Sequence, residues 1–342
     1  MEKASMIGID TSKNLFELHG RNERGEVVLR RRLKREQVES FFAEHPAATI
    51  GMEACGAAHH WARGLSRLGH QVRLMPPAYV KPYVKRNKND AIDAEACCEA
   101  LSRPGMRFVP VKTVDQQAAL ALHRSRELLV RQRTQISNAL RALLAELGIV
   151  AAKGREGLGR LIADLRENVH GLPPAVQTAA LVLADRRAEL QAGIDALERH
   201  IVAEAKADPA ARLLQTAPGV GPLTAHALLG TVPDPARFDS GRDFAAWLGL
   251  TPRENSTAGK RRSGAITKQG DRTLRRLLVL GATAWLRQVA ARPDKGSPWL
   301  LGLMAHNRTK KKLVAVAQAA RTARILWAML THNQPYRAPA AG

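Results

Sequence analysis

Cysteine, aromatic rings and long apolar runs are all scarce in this chain of 342 residues. Its three cysteines are Cys55, Cys97 and Cys98, the last two adjacent. An odd number without paired spacing, and without histidines at C-x-x-C intervals, argues against both a disulfide framework and a structural zinc site. No continuous apolar run reaches the roughly 18 residues that a membrane helix requires, so no membrane partner is expected. The opening MEKASMIGID lacks a cationic stretch leading into an apolar segment of signal-peptide length, and a cytoplasmic protein is expected. Aromatic residues make up 4% of the chain and hydrophobic residues 45%, a balance that suits two or three folded units better than one core.

Negative charge is short as well. Lys and Arg outnumber Asp and Glu 53 to 31, for a formal net charge of +22. The excess is spread along the chain, and it calls for a polyanionic partner. Nucleic acid fits better than a membrane surface. Charge carried for solubility alone is the competing reading.

From Met6 the chain reads as short apolar runs separated by turns: MIGID, LFELHG and, after the Arg24-Gly25 turn, EVVLRRRL. Three antiparallel strands are expected, then a helix over 36–44, a strand at TIGMEA, an amphipathic helix over 59–68 and a strand at QVRLMP. This alternation after a meander is RNase H-like in order. Pro76-Pro77 stops it, and after a basic stretch DAIDAEACCEALS places apolar residues at helical spacing. Residues 114–147 are strongly helical in pattern, with no Gly or Pro to interrupt them. After a Gly-rich break at 148–159 and the turn at 171–174, a second helical segment runs over about 175–206. The two are read as a long antiparallel helical hairpin linking the ends of the chain; an ordinary bundle is the alternative. The last third opens with LLQTAPGVGPLTAHALLGTV, in which a turn holding Gly219 and Gly221 separates two helical segments. That is the layout of a helix-hairpin-helix, whose backbone N–H groups hold a DNA phosphate without reading bases. The remainder to about residue 330 reads as largely helical, followed by a frayed tail.

Asp10 and Glu53 each end a strand, and Asp90 and Asp93 stand three apart near a helix start, so three elements can deliver carboxylates to one point. Four acids gathered there repel one another and raise their pKa values unless a divalent metal offsets the charge. Mg²⁺ is the expected ion, with Mn²⁺ as the alternative. Two such ions activate an attacking oxygen and stabilise a leaving one at phosphorus. Taken singly, each acid could be a cap or a solvated charge, Asp90 above all as an N-cap. A second candidate site lies in GLTPRENSTAGKRRSGAITKQGDRTLRR, where Ser256 stands beside Lys260, Arg261 and Arg262. Cations there bind phosphate and ease alkoxide formation, although a serine in a basic loop is more often a simple hydrogen-bond donor. Lys268, Arg272, Arg275 and Arg276 extend the basic surface, and Lys310 and Lys311 are assigned to backbone contacts. His59 and His60 point in different directions on a helix, one packed and one solvated, rather than to a common metal. Trp61, Trp247, Trp285 and Trp327 are read as core.

The strings GID, GMEACGAAHHWARGL, VRLMPPAYVKPYVKRNKNDAIDAEACCEAL, RFVPVK, LLVRQRTQISNALRALLAELGI, APGVGP, LGLTPRENSTAGKRR and ITKQGDRTLRRLL follow in order over nearly the whole chain. Together they resemble the insertion-sequence transposases of the one-ten family, more closely its eleven-eleven branch. The resemblance implies a RuvC-like domain with a DEDD acidic set over 1–112, a coiled-coil linker over 113–206, a C-terminal transposase domain over 207–332 and a flexible tail at 333–342. The DEDD set falls on Asp10, Glu53, Asp90 and Asp93. The serine motif falls on Ser256-Thr257-Ala258-Gly259, where Ala258 departs from the usual Gly and Ser263 is the substitute nucleophile. Also implied are a phosphoserine link to DNA, a structured noncoding RNA pairing with donor and target DNA, and a dimer that pairs into a tetramer. Two other readings remain: a metal-dependent nuclease or junction resolvase using only the acids, and an inactive nucleic-acid-binding relic.

Overall fold

The computed structural model describes residues 3–85, 89–152, 154–232, 234–255 and 262–338. The chain divides into two compact units, Met1–Val114 and Asp115–Gly342.

The first unit is α/β. It runs β1 (Met6–Thr11), β2 (Leu15–Arg21), β3 (Val27–Lys34), α1 (Val38–Glu44), β4 (Thr49–Glu53), α2 (Ala58–Arg67), β5 (Gln71–Met75), α3 (Pro77–Val80) and α4 (Asp90–Leu101). The five-stranded sheet has the order β3-β2-β1-β4-β5, with β1, β2 and β3 antiparallel and β4 and β5 parallel to β1. The β2–β3 turn is set by Asn22, whose side-chain oxygen accepts from the N–H groups of Arg24 and Glu26, and by Gly25 at φ +83°.

Strand alternation gives the sheet two different faces. Ile7, Ile9, Phe16, Leu18, Leu33, Ile50 and Met52 form one core with Phe42 of α1 and Trp61 and Leu65 of α2. The opposite face carries Gly8 and Gly51, register partners on β1 and β4, and this shallow seat takes α4. A Cβ on Gly51 would meet Met75 and Leu101 at 3.0 Å. The helix is capped by Asn89, whose side chain accepts from the N–H of Ile92 at 2.9 Å. Asp90 is therefore the first residue of the helix and not its cap.

The second unit is helical apart from one hairpin. It contains α5 (Val114–Ala145), α6 (Arg155–Arg166), α7 (Pro174–Ala207), α8 (Pro209–Leu214), α9 (Pro222–Thr231), α10 (Gly241–Trp247), β6 (Pro252–Glu254), β7 (Ser263–Ile266), α11 (Arg272–Ala291), α12 (Pro298–His306) and α13 (Lys311–His332). Helices α5 and α7 run antiparallel, because Arg126 donates to Glu198, Arg133 to Gln191 and Arg187 to Ser137, partners that ascend one helix as they descend the other. Leu140 and Leu144 close one end against Ala180, Ala184 and the buried leucines of α6.

Sequence pattern missed α6, which begins within the Gly-rich break and runs beyond it, although Leu158, Leu161 and Leu165 are buried at helical spacing. The hairpin β6–β7 likewise interrupts a stretch that reads as helical. Helix α13 contains an 18-residue window of mean hydropathy 1.3, long and apolar enough to cross a membrane by length and composition although no unbroken apolar run is present. Its Ala319, Ala323 and Leu326 pack with Leu274 and Leu278 of α11 and Phe244 of α10. Trp61 is buried, whereas Trp247, expected in the core, is 39% exposed and stacks at the surface on Phe244.

Candidate functional site

Asp10 projects from β1 on the α4 face, and Asp90 and Asp93 occupy the first turn of α4. One carboxylate oxygen from each lies within 4.8 Å of the others. Glu53 ends β4, one step beyond the Ile9–Met52 pair, so it stands beside Asp10 on the neighbouring strand. It lies outside the three-acid group but close enough to act on it. The Asp10 pKa is pushed up to about 6, first by burial and then by the charges of Asp93, Asp90 and Glu53, against a lowering hydrogen bond from the Thr11 backbone. This donor set fits a hard divalent cation: oxygens only, closely spaced, and carrying repulsion that a cation would remove.

Two cysteines frame the cluster. Cys97, one turn beyond Asp93, is buried; burial and the charges of Asp10 and Glu53 push its thiol up to about 12. Cys55 is exposed, its sulfur 3.2 Å from the Thr11 hydroxyl. His59 accepts from the Lys112 backbone N–H at 3.2 Å and His60 is exposed, so the pair does not converge on one point.

In the second unit, Ser256, Lys260 and Arg261 lie outside the described residues. The chain on either side of them pairs as β6 and β7, and the Asn255 N–H donates to the Arg262 carbonyl at 2.9 Å. The base of this hairpin is tightly held. Gly249 and Gly270 both have positive φ, and a Cβ on Gly270 would meet the Trp247 carbonyl oxygen at 1.9 Å. Arg275 donates to the carbonyls of Leu248 and Gln269 at 2.9 and 2.6 Å, and burial lowers its pKa. Arg276 pairs with Glu127 at 3.3 Å. These two cations are engaged internally, whereas Arg262, Lys268, Arg272, Lys310 and Lys311 are exposed. Ser263 is exposed on β7. Gly219 has φ +76° and its α-carbon faces the Gly281 carbonyl of α11; Gly221 is the exposed N-cap of α9, which no side chain caps.

Sequence reasoning missed two polar groupings. Glu17, the register partner of Asp10 on β2, is buried and paired with Arg32 of β3. In the second unit His123 Nε2 lies 2.9 Å from His226 Nδ1, and His226 Nε2 lies 2.7 Å from Glu204. Hairpin register would have found the first; nothing local signals the second.

An acidic group seated between a sheet and a capped helix, in a strongly basic chain, is the equipment of an enzyme that acts on phosphodiesters, and comparison with known proteins makes the class a transposase of insertion sequences. Residues 211–295 match the family described as Transposase IS116/IS110/IS902, and residues 7–149 match the DEDD transposase domain of IS110 elements. A Sinorhizobium fredii protein, y4pF/y4sB, described as a transposase, is 49% identical over 98% of this chain and 87% of its own length. The transposase for insertion sequence element IS1328 of Yersinia enterocolitica is 40% identical over 97% of this chain and 98% of its own, and that for IS1111A of Coxiella burnetii 39% over 98% and 92%. The chain belongs to the IS110/IS116/IS902 family of transposases, enzymes that cut and rejoin DNA. The DEDD class of its N-terminal domain implies a divalent metal.

Proposed function

We propose that this transposase joins donor and target DNA through a phosphoserine intermediate formed by Ser256, with Mg²⁺ held by Asp10, Glu53, Asp90 and Asp93, and with a structured noncoding RNA choosing the sequences. The observation that carries the metal-dependent half is the gathering of Asp10, Asp90 and Asp93 oxygens within 4.8 Å. The order β3-β2-β1-β4-β5 supports a RuvC-like, RNase H-type reading of residues 1–112. The antiparallel α5–α7 pair supports a coiled-coil linker over 113–206, and α8, the Gly219–Gly221 turn and α9 support a helix-hairpin-helix within a domain over 207–332.

In this reading the Ser256 hydroxyl oxygen forms a bond to phosphorus, the bond from phosphorus to one deoxyribose oxygen breaks, and the departing oxygen carries away the proton. Rejoining reverses the step with a new strand. A bound divalent ion supplies charge neutralisation at the phosphate. Asp10, Glu53, Asp90 and Asp93 would hold that ion, while Arg262, Lys268, Arg272, Lys310 and Lys311 hold backbones by charge without reading bases. Strand exchange requires several subunits, and a dimer pairing into a tetramer in the cytoplasm, at the nucleoid, is the working form.

The test incubates purified protein, the element's flanking noncoding RNA and labelled donor and target DNA with Mg²⁺, and looks for a protease-sensitive protein–DNA adduct. An adduct that needs RNA, Mg²⁺ and Ser256 is expected. Metal-dependent cutting with no adduct, equal in wild type and Ser256→Ala, would move the assignment to a plain nuclease.

A further inference from the structure

Beside the acidic cluster, on the same face of the sheet, a groove of about 470 Å³ opens between β2–β3 and the first turns of α4, lined by Glu17, His19, Arg30, Arg32, Asn89 and Glu95 among others. Its floor is set by strand register. Gly8, His19 and Arg30 form one cross-strand row, and Asp10, Glu17 and Arg32 the next. The groove is thus continuous with the acids through the Asp10–Glu17 pair on one side and through Asn89 and Asp90 on the other.

The charges do not cancel evenly. Glu17 is matched by Arg32, and Glu95 by Lys85 at 2.6 Å. Arg30 is exposed and has no ion pair among the described residues. Directly across from it, His19 is 3% exposed and its Nε2 has neither water access nor a hydrogen-bond partner. Burial, joined by the charges of Arg21, Arg30 and Lys85 and opposed by Glu95, lowers the His19 pKa, which favours the neutral ring with one N–H to donate. A buried, unpartnered ring nitrogen is costly. An anion oxygen drawn in by the Arg30 charge would give that nitrogen an acceptor, which the guanidinium itself cannot supply.

We infer that this groove is a phosphate subsite for the DNA strand that enters the acidic centre, with Arg30 as the contact and His19 as the donor behind it. The inference rests on the proposed DNA-cutting role of Asp10, Asp90 and Asp93. Strands β3 and β1 are two spacings apart, about 10 Å, so the phosphate held here lies one to three nucleotides from the one at the acids. No base edge is read, in keeping with a partner chosen by charge.

The experiment measures anisotropy of a fluorescent single-stranded oligodeoxynucleotide carrying the element end, bound to the full chain in EDTA. Neutral methylphosphonates replace its phosphates one at a time. In wild type one replacement within three nucleotides of the cut position is expected to weaken binding about tenfold. In Arg30→Gln and in His19→Gln that replacement loses its effect. Arg30→Gln also lowers the salt slope by about 0.7, one phosphate on a single strand. Arg30 is an exposed edge-strand residue, so its variant keeps the wild-type melting temperature if folding is intact. An unchanged methylphosphonate profile and salt slope in Arg30→Gln overturns the inference, as does a loss seen only with an RNA oligonucleotide of the same sequence. Because the assay contains no metal and does not depend on Ser256, it separates two failures. Coupling without any Ser256 adduct sinks the functional reading alone, and an adduct with unaltered Arg30→Gln binding sinks the groove alone.

Discussion

Gly8 of β1 and Ala94 of α4 are in backbone contact: a Cβ on Gly8 would stand 2.3 Å from the Ala94 carbonyl oxygen and equally close to the Cys98 nitrogen. Helix α4 reaches the sheet only because that position has no side chain, and Asp90 and Asp93 reach Asp10 only because α4 does. Gly8→Ala is expected to force the helix away, costing about 1–3 kcal/mol. A lower melting temperature together with loss of the upward shift produced by Mn²⁺ is the expected result. A variant that melts lower yet still responds to Mn²⁺ would uncouple the seat from the acids.

The raised Asp10 pKa fixes the direction of a pH effect. Between the ordinary 3.8 and about 6 the folded state holds a proton that the unfolded chain has released. In metal-free protein the stability of the first unit therefore falls as pH rises through that window. Denaturant titrations in EDTA at pH 4 and pH 7 measure the fall, and Asp10→Asn should remove it.

His123 works in the opposite sense. Burial, His226 and Arg126 lower its pKa from 6.5 to about 4, so the folded state resists a proton that the unfolded chain accepts. Its contribution is complete above pH 6.5 and is lost as pH falls toward 4, about 3 kcal/mol for this buried ring. His123→Gln should flatten the acid limb of the second unit's unfolding curve.

The cysteines predict a labelling pattern. Cys55 is exposed, while Cys97 and Cys98 are buried and their thiols are raised, Cys97 to about 12. A maleimide should modify Cys55 in the native protein and all three residues after denaturation. Rapid native labelling of Cys97 would mean that α4 opens.

Basic residues of the second unit separate by variant. Arg275→Ala, which frees two carbonyls at the hairpin base, should lower stability by about 2–3 kcal/mol. Lys310→Ala and Lys311→Ala should leave the melting temperature in place and weaken DNA binding by a similar factor on unrelated sequences.

Much of the first unit was legible because its strands alternate, its turns carry Gly25 and Asn22, and Asp10 and Glu53 fall at strand ends. The polar groove was not. His19 and Glu17 sit where alternation normally faces water, and α4, arriving more than 70 residues later from position 90, packs over that face of β2. The β6–β7 hairpin escaped for a different reason: its strands are short and mostly exposed, so no apolar pattern marks them. Arg275 and Arg276 read as an extension of the basic surface because a cation near the start of a helix carries the same letter whether it faces DNA, a carbonyl or, as Arg276 does, Glu127.

The three polar rungs between α5 and α7 have a mechanical implication. Sliding one helix past the other by a turn would break Arg126–Glu198, Arg133–Gln191 and Arg187–Ser137 together. With 34 residues in α7, the pair is a strut about 50 Å long with a pinned register. A load applied at its tip is passed on as rotation of the whole strut and is not absorbed by slippage, so a partner seated there would be held at constant reach.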